Sequence, residues 1–182
     1  GRVPEDNPYV HMDSASHTVY SYGHRNPQGL AIHPETGEMW AHEHGPRGGD
    51  ELNLIKPGRN YGWPVICYCI NYNGTQLTKF TRKEGMEQPV MYWRPSIAPS
   101  GMDFVEGDRY PNWKGNLIVG ALAFEQVERL TIEDGRFMHK EIILDEIGRV
   151  RNVRMAPDGY LYIALEEPGR IVRLTPVENQ AP

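Results

Sequence analysis

Three times along this chain a short apolar strand runs into a glycine turn and returns as a second apolar strand. Gly29-Leu30-Ala31-Ile32-His33-Pro34 leads through Gly37 into Met39-Trp40-Ala41. Val153-Arg154-Met155-Ala156-Pro157 leads through Asp158-Gly159 into Leu161-Tyr162-Ile163-Ala164. With a longer connection, Gly101-Met102-Asp103-Phe104 passes Trp113-Lys114-Gly115 and returns at Leu117-Ile118-Val119. Glycine suits such turns because it enters the left-handed backbone region without a Cβ penalty. The same punctuation works against helices: 19 glycines and 15 prolines leave few uninterrupted windows, and no apolar stripe of period 3.6 persists. Arg129 to Leu144 reads as strands around the turn Glu133-Asp134-Gly135, and Ile171-Val172-Arg173-Leu174 as a last strand. Hairpins recurring at roughly sixty residues predict propeller blades rather than a sandwich. The expectation is an all-β chain of about three blades. Closed propellers have ~4–8 blades, and an open arc would leave sheet faces and edges bare. The chain is therefore expected to be part of a longer protein or, second choice, to complete a ring by associating with a copy of itself.

The 182 residues fit one domain with a real core. A formal net charge of −5 without any Lys/Arg cluster argues against nucleic acid as partner. No apolar run approaches the ~20 residues that span a bilayer. The chain opens at Gly1-Arg2-Val3-Pro4 without Met, which suggests that a leader or a larger upstream portion has been removed. Cys67 and Cys69, placed on a strand, share a face but are poorly set for bridging, so two half-buried thiols are expected. A soft-metal role for the pair would need further ligands nearby.

Polar residues of several kinds crowd beside Gly and Pro between Arg25 and Tyr61. The clusters are Arg25-Asn26-Pro27-Gln28-Gly29, Glu43-His44-Gly45-Pro46, Gly49-Asp50-Glu51-Leu52-Asn53 and Asn60-Tyr61-Gly62-Trp63-Pro64. Two apolar strands separate them, which puts the polar groups where strands end, the layout of a ligand or metal site on strand-end loops. Farther on, Arg149 and Arg151 are two apart, so on a strand both guanidinia share a face, which taken alone is ordinarily a solvated one and which would also let the pair clamp an anion.

Taken in order, these motifs resemble the soluble quinone-dependent glucose/sorbosone dehydrogenases, above all the aldose sugar dehydrogenase branch. Tyr22-Gly23-His24 extends the first cluster. Ile70-Asn71-Tyr72, Ala98-Pro99-Ser100-Gly101-Met102, Arg149-Val150-Arg151-Asn152 and Ala156-Pro157-Asp158-Gly159-Tyr160 complete the match, over about residues 4 to 175. The resemblance implies a six-bladed propeller of which residues 1–182 are the C-terminal half. It implies pyrroloquinoline quinone (PQQ) and calcium as cofactors, oxidation of aldoses at C1 to lactones, an external electron acceptor, and a periplasmic or secreted location. It assigns Arg25, Asn26, Gln28, Tyr72, Arg149 and Arg151 to the cofactor. Gly45 and Pro46 would offer main-chain carbonyls to a catalytic calcium, and Glu51 with the Tyr61 carbonyl would match a second, structural calcium.

Two departures stand out. None of the seven histidines aligns with the family's His base, which lies in an upstream blade, so no catalytic residue is assigned here and the isolated chain is expected to be inactive. The family commonly carries a quinone-facing Lys after a Gly-Ala-Leu strand, but Gly120-Ala121-Leu122 is followed by Ala123. The alternative is therefore a non-catalytic propeller that binds or scaffolds. Several residues have plainer readings. Glu51 would as readily salt-bridge a neighbour as bind calcium. His42 and His44 flank Glu43 like a metal pair but lack helical ligand spacing, and surface or turn positions are expected. The Asn73-Gly74-Thr75 sequon is short and frequent. Trp40, Trp63, Trp93 and Trp113 are read as blade-packing aromatics, with Trp93 and Arg94 close to a possible sugar cleft.

Overall fold

The computed structural model describes residues 1–167 and 169–177. Among them, eleven strands and no helix build three antiparallel sheets, each a meander in chain order. The first holds β1 (Pro27–Ile32), β2 (Met39–Glu43), β3 (Asp50–Ile55) and β4 (Met91–Trp93). The second holds β5 (Pro99–Phe104), β6 (Leu117–Ala121), β7 (Val127–Glu133) and β8 (Arg136–Leu144), and the third β9 (Val150–Met155), β10 (Leu161–Leu165) and β11 (Arg170–Leu174). The three hairpins legible in the sequence open the three sheets. Their turn glycines adopt the left-handed backbone, with φ of 71° at Gly37, 74° at Gly115 and 79° at Gly159.

Contacts between sheets fix how the first strands lie. At one end His44 Nε2 donates to the Pro99 carbonyl (2.7 Å), and Ser100 Oγ donates to that of Val150 (2.7 Å). At the other end His33 packs edge-on to Phe104 (centroids 4.7 Å apart), and the Met155 amide donates to Asp103 Oδ2 (3.0 Å). Starts thus meet starts and ends meet ends, so β1, β5 and β9 run the same way and their starts share one rim. Gly101 permits this approach, because a Cβ there would stand 2.5 Å from both the Asn152 Cα and the Val153 nitrogen.

The second sheet is covered on both faces, which explains the unbroken apolar run of β6. Leu117, Val119 and Ala121 join Trp40, Leu52, Trp93 and Phe104 in the core against the first sheet. Ile118 turns the other way to meet Val127, Val150, Val153 and Ile163. Glu128 is wholly buried between the first two sheets, where its carboxylate accepts from Trp93 Nε1 (2.8 Å), Gln126 Nε2 (2.8 Å) and Lys140 Nζ (2.9 Å). The Trp93 indole is therefore committed to the core, which removes it from any sugar cleft; Arg94 is exposed.

Two expectations from sequence are overturned. Cys67 and Cys69 form a disulfide. They lie in the β3–β4 connection rather than on a strand, and the bend there brings their Cα atoms to 5.3 Å, inside bridging range and closer than the ~6.6 Å of extended chain. His42 is completely buried rather than at a surface or turn. Its β1 partner is Gly29, whose missing side chain leaves the space that the imidazole fills; a Cβ there would lie 2.4 Å from Nε2.

Candidate functional site

Glu43, the last residue of β2, organises the loop that precedes β1. Its Oε2 accepts from the amides of Arg25 (2.5 Å) and Asn26 (3.3 Å), while Oε1 meets His24 Nδ1 (3.2 Å) and Asn53 Nδ2 (3.3 Å). With its backbone held, Arg25 donates from Nη1 to the His44 carbonyl (2.9 Å) and sets its guanidinium 5.2 Å from the Trp63 ring centroid. Gln28 Nε2 donates to Asn26 Oδ1 (3.0 Å), and both side chains are exposed at the start of β1.

Asp50 performs the matching task for the next loop. Its Oδ1 accepts from the Gly45 amide (2.9 Å) and Ser96 Oγ (2.8 Å), and its Oδ2 accepts from the Ala98 amide (2.9 Å). One carboxylate thereby ties the turn after β2 to the entry of β5, where Ala98 sits at φ 52°. Such left-handed non-glycine backbone persists only where its surroundings hold it.

Between these loops lies a cavity of about 20 Å³ walled by, among others, Glu43, Gly45, Glu51, Tyr61 and both half-cystines. That is room for a single water-sized occupant. The Glu51 carboxylate accepts one weak hydrogen bond among the described residues, from Asn53 Nδ2 at 3.5 Å, and has no cation beside it. Burial, then the neighbouring Glu43 charge, pushes its carboxyl up to about 8. Asn53 Oδ1, buried alongside, has no partner among the described residues. Tyr61 spends its hydroxyl on the Leu54 carbonyl (2.6 Å) and stacks its ring on His24 (4.5 Å), so only its main chain is left for the cavity. No cluster of three or more His, Cys, Asp or Glu among the described residues is arranged to hold a metal. A cation here would therefore need main-chain carbonyls as well as carboxylates, an all-oxygen set that suits calcium. A Cβ at Gly45 would stand 2.3 Å from the Gly48 carbonyl oxygen and 2.6 Å from that of Gly49, so carbonyls do crowd this turn. Pro46, one residue on, is buried and is not a wall of the cavity.

Arg149 and Arg151 flank Val150, whose side chain turns into the core beneath Gly120, so alternation sends both guanidinia to the opposite face. Both bond Glu166 just beyond β10: Arg149 Nε to Oε2 (2.8 Å), Arg151 Nε and Nη2 to Oε1. Arg149 Nη1 also donates to the Leu122 carbonyl (3.2 Å), beside exposed Ala123. Tyr72 stands exposed in the loop that Ile70 pins to Arg47 (3.1 Å), next to the Gly45 turn.

The structure thus gathers the sequence-predicted residues at the rim where strands start. A relay of contacts connects them, from Arg25 through His44, Pro99 and Ser100 to Val150 and its two flanking arginines. Sequence reasoning missed Glu43, Asp50 and Glu166 as organisers. The first two stood inside the quoted motifs; nothing local marked the third.

Comparisons with known proteins identify the family and the fold. The family model for Glucose / Sorbosone dehydrogenase matches residues 1–173, and the chain belongs to that family. Aldose sugar dehydrogenase YliI of Escherichia coli (strain K12) is 42% identical over 185 residues, covering 97% of this chain and 48% of that protein. A crystal structure of a glucose dehydrogenase superposes with a TM-score of 0.92 at 49% identity, over 96% of this chain and 52% of the other. The PQQ-bound aldose sugar dehydrogenase of Streptomyces coelicolor superposes with a TM-score of 0.70 at 29% identity, over 94% and 48%. The fold is a partial propeller of the quinoprotein sugar dehydrogenase type, and the chain spans about half the length of these relatives.

Proposed function

We propose that this chain is the C-terminal half of a PQQ- and calcium-dependent aldose dehydrogenase domain, completed by upstream blades. It oxidises the C1 hydroxyl of a sugar to the lactone and passes electrons to an external acceptor, in the periplasm or outside the cell. The observation that carries this reading is the chain of contacts along one rim that links Arg25, beside a small cavity lined in part by Glu43, Glu51 and the Gly45 turn, through His44, Pro99 and Ser100 to Val150 and its flanking Arg149 and Arg151. PQQ is a planar tricarboxylate, and guanidinium forks both neutralise and orient such a group. Asn26, Gln28 and Tyr72 stand exposed around the same mouth and would add hydrogen bonds and a ring face. Gly45, with Pro46 beside it, would give carbonyl oxygens to one calcium; Glu51 and the Tyr61 carbonyl would hold another. Ionising Glu51 beside Glu43 is costly without a cation, which supports that second role. When bound, PQQ supplies the redox chemistry and calcium polarises it; the protein binds, orients and excludes water. The base that takes the sugar's hydroxyl proton belongs to an upstream blade.

The test is reconstitution. The complete protein, given PQQ and calcium, should reduce an artificial dye when aldoses are added; absence of both bound-quinone absorbance and dye reduction ends the reading. Turnover by these 182 residues alone would contradict the placement of the base. Ala123 favours a second reading, a binding propeller that has lost the chemistry. Ala123→Lys should tighten PQQ binding roughly tenfold or more if the site is a working one, since a charge-assisted contact is worth about 1.5–3 kcal/mol. A binding module would show no response.

A further inference from the structure

We propose that Glu166 is a positioning residue, which locks Arg149 and Arg151 into one fork presented to a carboxylate of the quinone. The inference rests on the cofactor reading above. Two guanidinia on one strand face repel each other and sample many rotamers, so unaided they make a diffuse anion site. Glu166 lies between them on the neighbouring strand's exit. It takes Arg149 Nε on one oxygen (2.8 Å) and Arg151 Nε on the other (2.8 Å), with Arg151 Nη2 as a further donor. The Leu122 carbonyl holds Arg149 from its other side (3.2 Å). All three side chains remain open to solvent, at 44%, 50% and 29% exposure for Arg149, Arg151 and Glu166. This is not a buried structural ion pair.

Counting donors shows what is left over. Arg149 Nη2 and Arg151 Nη1 have no protein acceptor among the described residues. Each guanidinium thus offers one free nitrogen while its other contacts fix its plane. The trio carries a net charge of one unit, enough to attract a carboxylate without trapping inorganic anions as two bare arginines would. Preorganisation of this kind lowers the ordering cost of binding. Glu166 is held ionised by the same bonds, Arg149 contributing most and Arg151 next, so the fork stays assembled across the neutral range.

The experiment is an equilibrium titration of PQQ, read by fluorescence quenching, into the complete calcium-loaded protein and its variants, with thermal midpoints measured without PQQ. Glu166→Ala and Glu166→Gln should bind at least about tenfold more weakly while melting near the wild-type midpoint. Glu166→Asp, which keeps the charge and both acceptor oxygens, should recover to within about threefold. In an Arg149→Ala/Arg151→Ala background, Glu166→Ala should cost nothing more, because Glu166 acts only through those two side chains. Unchanged or tighter binding in Glu166→Ala overturns the proposal, and so does a further loss in the double-arginine background. Weaker binding with a midpoint several degrees lower, unrescued by Asp, shows a merely structural role and also overturns it. If the wild-type protein binds no PQQ, the cofactor reading itself falls, which the variant comparison alone cannot produce.

Discussion

Glu51 and His42 sit near the same loops and titrate in opposite senses. Burial beside Glu43 holds the Glu51 proton up to about 8, against an ordinary value of 4.5. The folded chain then binds more protons than the unfolded one across that window, so this residue's contribution to stability falls as pH rises. Burial, with His44 nearby, lowers His42 from 6.5 to about 3. Here the folded chain binds fewer protons, and stability falls as pH drops below 6.5. Each slope is at most about 1.4 kcal/mol per pH unit. Without calcium the two oppose each other up to about 6.5, and Glu51 alone acts from there to about 8. Chelated protein should therefore lose thermal stability between pH 6.5 and 8, calcium should restore it most at pH 8, and Glu51→Gln should remove the pH-dependent loss and shrink the calcium increment to what the Gly45 site supplies. An equal calcium increment in Glu51→Gln would remove Glu51 from the cation site. In calcium-saturated protein, urea unfolding should show stability falling from pH 6.5 to 5, with a shallower slope in His42→Asn. Equal slopes would mean that His42 is not held neutral.

Between elements, close approach matters more than side-chain chemistry. Gly101 of β5 touches the β9 backbone, so Gly101→Ala forces the second and third sheets apart and should cost about 1–3 kcal/mol in chemical unfolding. A neutral result would show that the strand starts are packed less tightly than described. This contact also marks what the sequence could and could not disclose. Gly37, Gly115 and Gly159 announced their hairpins because positive φ at a turn between apolar strands has few other causes. The unbroken apolar run of β6 follows from burial on both faces. The burial of His42 was hidden because it depends on register with Gly29 in the neighbouring strand. The Cys67–Cys69 bridge was hidden because strand geometry was assumed where the chain bends. Arg149 and Arg151 were visible as a pair, but their shared carboxylate arrives from fifteen residues past Arg151 and needs the β9–β10 pairing to be seen.

For the whole molecule, the three sheets form an arc with bare flanks. Leu30 and Ile32 on β1 are 57% and 50% exposed, and Ile171 on β11 is 75% exposed, all on faces turned away from the second sheet. Such apolar flanks suit further blades on either side, in keeping with relatives about twice as long. The central claim is that Arg25 in the first sheet and Arg151 in the third hold the same small anion, across a mouth that no single sheet makes. The measurement that tests it most directly is calorimetric titration of PQQ into the complete calcium-loaded protein, compared with Arg25→Ala and Arg151→Ala. One quinone per protein should bind, and each substitution should weaken that site by at least about tenfold, as removal of a charge-assisted partner does. Wild-type affinity in either variant would mean that the two arginines do not share a ligand.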